Sequence, residues 1–180
     1  MGKAWRVVKS GYAANALDGE GARRAGGRWN PVGTPALYAS DSLALAMMEV
    51  LVHFDTAMPM ASYVALELDI PDAAITGINP NSIPSGWPKL DSIPASQRIG
   101  HGMLVMRNLF AIAVPSVVVP LSFNYVINPA HANFPAWAAK QLLLPPIPLR
   151  FDARLLGQNS ITQTPTQKPV KNPTQGAAGN

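Results

Sequence analysis

Residues 26–40 read GGRWNPVGTPALYAS. Two glycines precede Arg28 and Trp29, an Asn-Pro-Val-Gly turn follows, and PALYAS has the composition of a short strand. The stretch is therefore a glycine-rich bend that delivers Tyr38 and Ser40 at the end of a strand. Upstream, WRVVKS (5–10) reads as a first strand. Downstream, SDSLALAMMEVLVHF (40–54) reads as a helix with Ser40 or Asp41 as its N-cap. Leu43, Met47, Val50, Leu51 and Phe54 share one face, while Leu45, Met48 and Val52 make the opposite face apolar too. A helix apolar all round is expected to be buried.

Further along, SYVALELDI (62–70) alternates with a period of two and reads as a half-buried strand. Residues 78–95 carry several prolines and read as an irregular connection, followed by a second helix from about Ser96 to Leu109. FAIAVPSVVVP (110–120) reads as one or two buried strands interrupted at Pro115, and FNYVIN (123–128) continues the β pattern. PAWAAKQLL (135–143) reads as a short helix and LRFDARLL (149–156) as a last strand. Strands outnumber helices without alternating regularly with them, so the expected class is α+β, a mixed sheet with few helices. The expected organisation is one folded domain over 1–158 and a disordered Pro/Gln/Thr/Gly-rich tail over 159–180. No internal repeat is visible.

Composition narrows the function classes. The chain has 180 residues, 48% hydrophobic but only 13% charged, about half the usual charged share. Such a surface favours association with a partner. With no cysteine, disulfides, zinc–thiolate sites and cysteine nucleophiles are excluded. MGKAWRVVKSGY lacks the apolar core of a signal peptide, and no apolar run is long enough to span a bilayer, so a cytoplasmic protein without membrane contact is expected. The net charge of +4 falls to +2 without Lys168 and Lys171 of the tail. Residues 1–28 carry Lys3, Arg6, Lys9, Arg23, Arg24 and Arg28 against Asp18 and Glu20, whereas residues 29–88 carry six acids and no Lys or Arg. That polarity suits a small ligand with anionic and cationic parts better than a uniform phosphate-binding face. The basic arm leaves a second reading, a nucleic-acid-binding protein or ribonuclease, against which the acidic middle and the missing basic–aromatic stripe count.

Four residues carry candidate chemistry. Glu49 is the single charged residue between Asp41 and Asp55, within the apolar helix. A carboxylate there is either part of a polar stripe with Ser42 and His53 or a functional group in a cleft. Arg28, flanked by Gly26 and Gly27, is either a turn arginine or a planar fork for phosphate oxygens that the glycines let approach closely. Tyr38 is either a core ring or a platform for a flat heterocycle. Ser116 is a hydroxyl in an apolar run that needs a partner, and it sits in no G-x-S-x-G elbow. His53, His101 and His131 lack metal-binding spacing, so no metal is expected. GEGARRAGG (19–27) lacks the G-K-[ST] ending of a P-loop.

Four pieces in order, GEGARRAGGRWNPVGTPALYAS (19–40), LALAMMEVLVH (43–53), VPSVVVP (114–120) and NYVINPAH (124–131), resemble the RES-domain family. Its members are the toxins of bacterial Xre–RES toxin–antitoxin pairs. The resemblance runs from about Trp5 to Leu156 and departs at RIGHGML, where His101 stands in a place the family often gives to an acid. It places the family's arginine, tyrosine, glutamate and serine at Arg28, Tyr38, Glu49 and Ser116. It implies an ADP-ribosyltransferase-like fold and cleavage of the nicotinamide–ribose bond of NAD, which is a substrate and not a resident cofactor. ADP-ribose would pass to water, phosphate or a protein acceptor. On this resemblance Arg28, with Arg6 or Lys9 nearby, would hold the pyrophosphate, Gly26 and Gly27 would allow its close approach, Tyr38 would stack on nicotinamide, Glu49 would stabilise the cationic ribose and Ser116 would position Glu49 or the ribose. A helix-turn-helix antitoxin in a hetero-oligomer would neutralise the toxin, and DNA would be met only through it.

Overall fold

The computed structural model describes residues 2–53, 62–83 and 86–156. The chain divides into two compact units, Met1–Arg150 and Phe151–Asn180. Within the second, the described part, 151–156, holds a short 3₁₀ turn, Ala153–Leu156, with an Asp152–Arg154 ion pair at its start. The tail expected over 159–180 lies outside the described residues.

The first unit is built on a seven-stranded mixed sheet: β1 (Gly2–Lys9), β2 (Leu37–Ser40), β3 (Tyr63–Ile70), β4 (Ile75–Gly77), β5 (Ala111–Pro115), β6 (Phe123–Ile127) and β7 (Ile147–Leu149), in the order β4-β5-β6-β2-β1-β3-β7. The β4–β5 pair is parallel and the others are antiparallel. The α-helices are α1 (Glu20–Ala25), α2 (Leu43–Leu51), α3 (Ile93–His101) and α4 (Phe134–Gln141). The α+β expectation holds.

The period of two sorts neighbouring side chains to opposite faces. Ala111 and Ile127 join a core with Leu68, Phe134 and Trp137, whereas Ile112, Val114 and Val126 join one with Trp29 and Leu104. The ladders on either side of the centre are long. β1 pairs with β3 from Gly2↔Ile70 to Lys9↔Tyr63, and β2 pairs with β6 over its whole length. Between β1 and β2, however, the register is the single pair Trp5↔Ser40. The ladder between these two strands is confined to that pair.

Several expectations need correction. The N-cap of α2 is Ser42, whose Oγ accepts from Leu45 N, and not Ser40 or Asp41. Ser40 Oγ instead donates to Asn124 Oδ1, and Asp41 Oδ2 accepts from Phe123 N. α2 is not buried all round: Leu45 and Ala46 are, whereas Met48 is 40% and Val52 53% exposed. The second helix starts earlier than expected, at Ile93, with Pro94 in its first turn, where the missing N–H costs no bond. It passes into a π-turn, Gly102–Met106. The last strand is Ile147–Leu149, not LRFDARLL. Pro148 is tolerated because β7 is an edge strand.

Candidate active site

Over the place where β1 meets β2 lies a cavity of about 920 Å³. Trp5, Arg6 and Val7 of β1 and Tyr38, Ala39 and Ser40 of β2 line it, joined by Gly27 and Arg28 of the bend, Glu49 of α2 and Asn124 of β6. The four singled-out residues are thus gathered round one space: three line it directly, and Ser116 is bonded to the Glu49 that does.

Glu49 is half-buried, and its hydrogen bonds cross from α2 to the sheet. Its Oε1 accepts from Ser116 Oγ at 2.9 Å and from Asn124 Nδ2 at 2.6 Å. The polar-stripe reading with His53 gives way to this geometry, and His53 lies exposed at the end of the helix. Ser116 is buried, and its Oγ accepts from Val118 N at 3.0 Å and Val119 N at 3.1 Å. A hydroxyl has two acceptor sites and one proton. Both acceptor sites are filled by the turn after β5, so the proton goes to Glu49. Glu49 Oε2 has no hydrogen-bond partner among the described residues. The carboxylate is gripped by one oxygen and presents the other.

Tyr38 Oη donates to Asn30 Oδ1 at 2.8 Å and accepts from Trp29 N at 3.0 Å. Burial pushes its phenol well above the ordinary range, opposed by the backbone N–H groups of Trp29 and Asn30 and by the Arg28 charge, so it stays neutral. Asn30 in turn donates to Ala22 O and Thr34 O, tying the NPVG turn to α1. Gly27 has a structural reason beyond ligand approach. A Cβ there would stand 2.6 Å from Tyr38 Oη and 2.7 Å from Asn30 Oδ1.

The two arginines are held by backbone oxygens. Arg6 Nε donates to Ala16 O and Nη1 to Tyr38 O, each at 2.7 Å. The second bond spans the β1–β2 gap where the ladder stops. Burial lowers Arg6 to about 10, partly offset by Asp18, so the guanidinium remains charged near neutrality. Arg28 Nη1 donates to Trp87 O at 2.8 Å and Nη2 to Pro88 O at 3.3 Å, and its Cζ lies 5.8 Å from the Trp87 ring centroid. Among the described residues neither arginine has a carboxylate partner. Two cations therefore border the cavity, each held by carbonyl oxygens, with the more distant Asp18 charge favouring Arg6 and the Trp87 ring beside Arg28.

Sequence reasoning missed Asn124, Ser40 and Trp87. Asn124 had a signal: a polar residue two places before the buried Val126 of the same strand, on the same face. Trp87 lay in the proline-rich connection and had none. Among the described residues, no three of His, Asp and Glu gather as metal ligands, and no helix is long and apolar enough to cross a membrane.

The site thus joins one carboxylate gripped by a single oxygen to two cations at the border of a cleft. The chain belongs to the RES domain family, whose model matches residues 3–152. It is 33% identical over 152 residues to Toxin Res of Yersinia enterocolitica, covering 84% of this chain and 97% of that one. It is 35% identical over 135 residues to the Prs ADP-ribosylating toxin of a Sphingobium species, covering 72% of this chain and 83% of that one. With the NAD(+) phosphorylase MbcT of Mycobacterium tuberculosis it shares 41% identity over 73 residues, 37% of this chain and 39% of that one. The crystal structure of the M. tuberculosis MbcT–MbcA toxin–antitoxin complex has the same fold, with a TM-score of 0.61, 22% identity and 87% of each chain covered.

Proposed function

We propose that this protein is the toxin of a toxin–antitoxin pair and that it cleaves the nicotinamide–ribose bond of NAD. The observation that carries the reading is Glu49: one oxygen held by two side-chain donors, the other unpartnered, in a cavity bordered by two guanidiniums without carboxylate partners. Its relatives named as an ADP-ribosylating toxin and an NAD(+) phosphorylase support it.

In the reaction the bond between ribose C1′ and the nicotinamide nitrogen breaks, and its electron pair leaves with nicotinamide, which becomes neutral. Positive charge develops on the ribose. Glu49 Oε2 faces that charge, and a preorganised carboxylate in a partly dry cleft stabilises it without reorganisation. An oxygen nucleophile then bonds to C1′ and loses any proton it carries. Arg28 and Arg6 hold the pyrophosphate. Two of the three nitrogens of Arg6 are committed to carbonyls, so its contribution is mostly charge. Tyr38, a neutral phenol, gives nicotinamide a face to stack on, and Gly27 leaves Tyr38 room to stand where it does. Ser116 positions Glu49.

The acceptor is water, phosphate or a protein side chain, and loss of NAD arrests growth in the cytoplasm. A helix-turn-helix antitoxin covers the cavity in a hetero-oligomer and brings the toxin to DNA. It blocks the Arg28 end with an anionic group that takes the place of the pyrophosphate. The test is incubation of the pure protein with NAD, with and without phosphate and cell extract, and separately with RNA. Release of nicotinamide is expected, and the partner product (ADP-ribose, its 1″-phosphate or a labelled protein) names the acceptor. Cut RNA with intact NAD would sink the reading.

A further inference from the structure

Ser40 and Asn124 are cross-strand partners in the β2–β6 ladder, so their side chains rise from the same face of the sheet, where Ser40 also pairs with Trp5 of β1. Ser40 is buried, and its Oγ lies 2.7 Å from Asn124 Oδ1. Asn124 Nδ2 lies 2.6 Å from Glu49 Oε1. From this geometry we infer that Asn124 is a positioning residue for Glu49 and that Ser40 sets the orientation of its amide. The inference rests on the proposed NAD-cleaving role of Glu49.

The chemistry of the donors fixes the direction of each bond. An ionised carboxylate only accepts, so the Asn124 amide must turn its NH₂ toward Glu49. Its oxygen then faces Ser40, whose hydroxyl supplies the proton. A flipped amide would set carbonyl oxygen against carboxylate oxygen at one end and leave the Ser40 proton without an acceptor at the other. Ser116 and Asn124 approach Oε1 from different strands, β5's end and β6. Two donors on one oxygen fix both the position and the rotation of the carboxylate, which Ser116 alone would leave free to swing. The second oxygen, the one the reaction uses, is thereby aimed without being touched.

Because Asn124 acts through Glu49, its effect must disappear when Glu49 does. The experiment measures nicotinamide release by Asn124→Ala and Asn124→Asp, each alone and combined with Glu49→Gln, and by Ser40→Ala. Asn124→Ala is expected to lower kcat about 10- to 100-fold, the usual range for a hydrogen bond to a charged group. KM for NAD should stay within about twofold. Asn124→Asp keeps the volume and the Ser40 contact but sets a second carboxylate against the first. It should lose at least as much, and it keeps the test readable if the alanine variant does not fold. Ser40→Ala should cost about threefold, because the amide keeps one partner. Combined with Glu49→Gln, Asn124→Ala should add less than about twofold. An undiminished loss in that background, or a change in KM with kcat intact, overturns the assignment in favour of a structural role or a direct substrate contact. A crystal structure of Asn124→Ala reads the placement independently of turnover. A rotated or disordered Glu49 carboxylate supports it, and an unmoved, ordered one overturns it. Absence of turnover in the unmodified protein sinks the NAD reading while leaving that structural outcome to be judged by itself.

Discussion

The two ends of the cavity are built differently. At the Glu49 end, the functional group is held by side chains that are themselves oriented by further bonds: Ser116 by Val118 and Val119, Asn124 by Ser40. At the Arg28 end, the guanidinium is held by backbone oxygens of residues 87–89 and by one indole face. Glu49 keeps an oxygen in reserve. Arg28 has both terminal nitrogens on carbonyls, two of the three contacts at 3.3 Å or longer, and keeps its Nε–H and one Nη2–H for a phosphate that adds to or replaces them. The first end is preorganised for a transition state and the second is adjustable for binding. Substitutions should divide accordingly, into losses of kcat at one end and rises in KM at the other.

The largest effect is expected from Glu49→Gln. Glutamine can keep Oε1 as the acceptor from Ser116 and Asn124 and put an amide nitrogen in place of Oε2, so the scaffold survives while the charge goes. The kcat for nicotinamide release should fall by about 10²- to 10³-fold, the cost of removing one preorganised electrostatic group. KM should change little. Nicotinamide release at the parent rate would break the comparison outright.

Ser116→Ala comes next. It removes one of the two donors to Oε1 and strands the Val118 and Val119 amides. The expected loss is about 10- to 100-fold in kcat, with a drop in stability of about 1–3 kcal/mol from the unpaired amides. A thermal melt alongside steady-state kinetics separates the two. An effect on KM alone would place Ser116 against substrate.

Arg28→Ala should act in the other coordinate. It removes a charged contact remote from the broken bond, so KM for NAD should rise about tenfold, with a smaller fall in kcat because remote contacts orient the reacting end. Calorimetry with NAD on the Glu49→Gln protein measures the binding loss without turnover. An affinity unchanged by Arg28→Ala would remove the phosphate role.

How much of this was legible in the sequence depends on how local the cause was. Strands β1, β2, β3, β5 and β6, the α+β class and the gathering of Arg28, Tyr38 and Glu49 followed from pattern and resemblance; β4 was not read at all and the last strand was placed too late. The burial of α2 was misread because composition cannot separate a side chain that meets a core from one such as Val52, which lines a cavity and stays exposed. Arg6 read as a charge near a ligand; its bond to Tyr38 O across the β1–β2 gap depends on where a ladder ends, which no local pattern encodes. Asn124 meets Glu49 from 75 residues away and Trp87 meets Arg28 from 59, distances at which spacing carries no signal. The glycine at 27 was visible, but its constraint comes from Tyr38 Oη, eleven residues on in sequence.

Arg28→Lys should give the smallest effect and sharpen the comparison most. Lysine keeps the positive charge but not the planar fork that meets the Trp87 and Pro88 carbonyls from two nitrogens. If the adjustable end works through charge alone, KM returns to the parent value. If the fork matters, as pyrophosphate geometry and the carbonyl contacts suggest, KM settles at about threefold above the parent, between it and the alanine variant. The stacking on Trp87 weakens as well, since an ammonium makes a poorer contact with an indole face than a guanidinium. The Glu49 end has no share in any of these bonds, so kcat should stay at the parent value. A kcat that fell with Arg28→Lys while KM held would mean that the fork reaches the reacting centre, and the division of the cavity into a binding end and a chemical end would be lost.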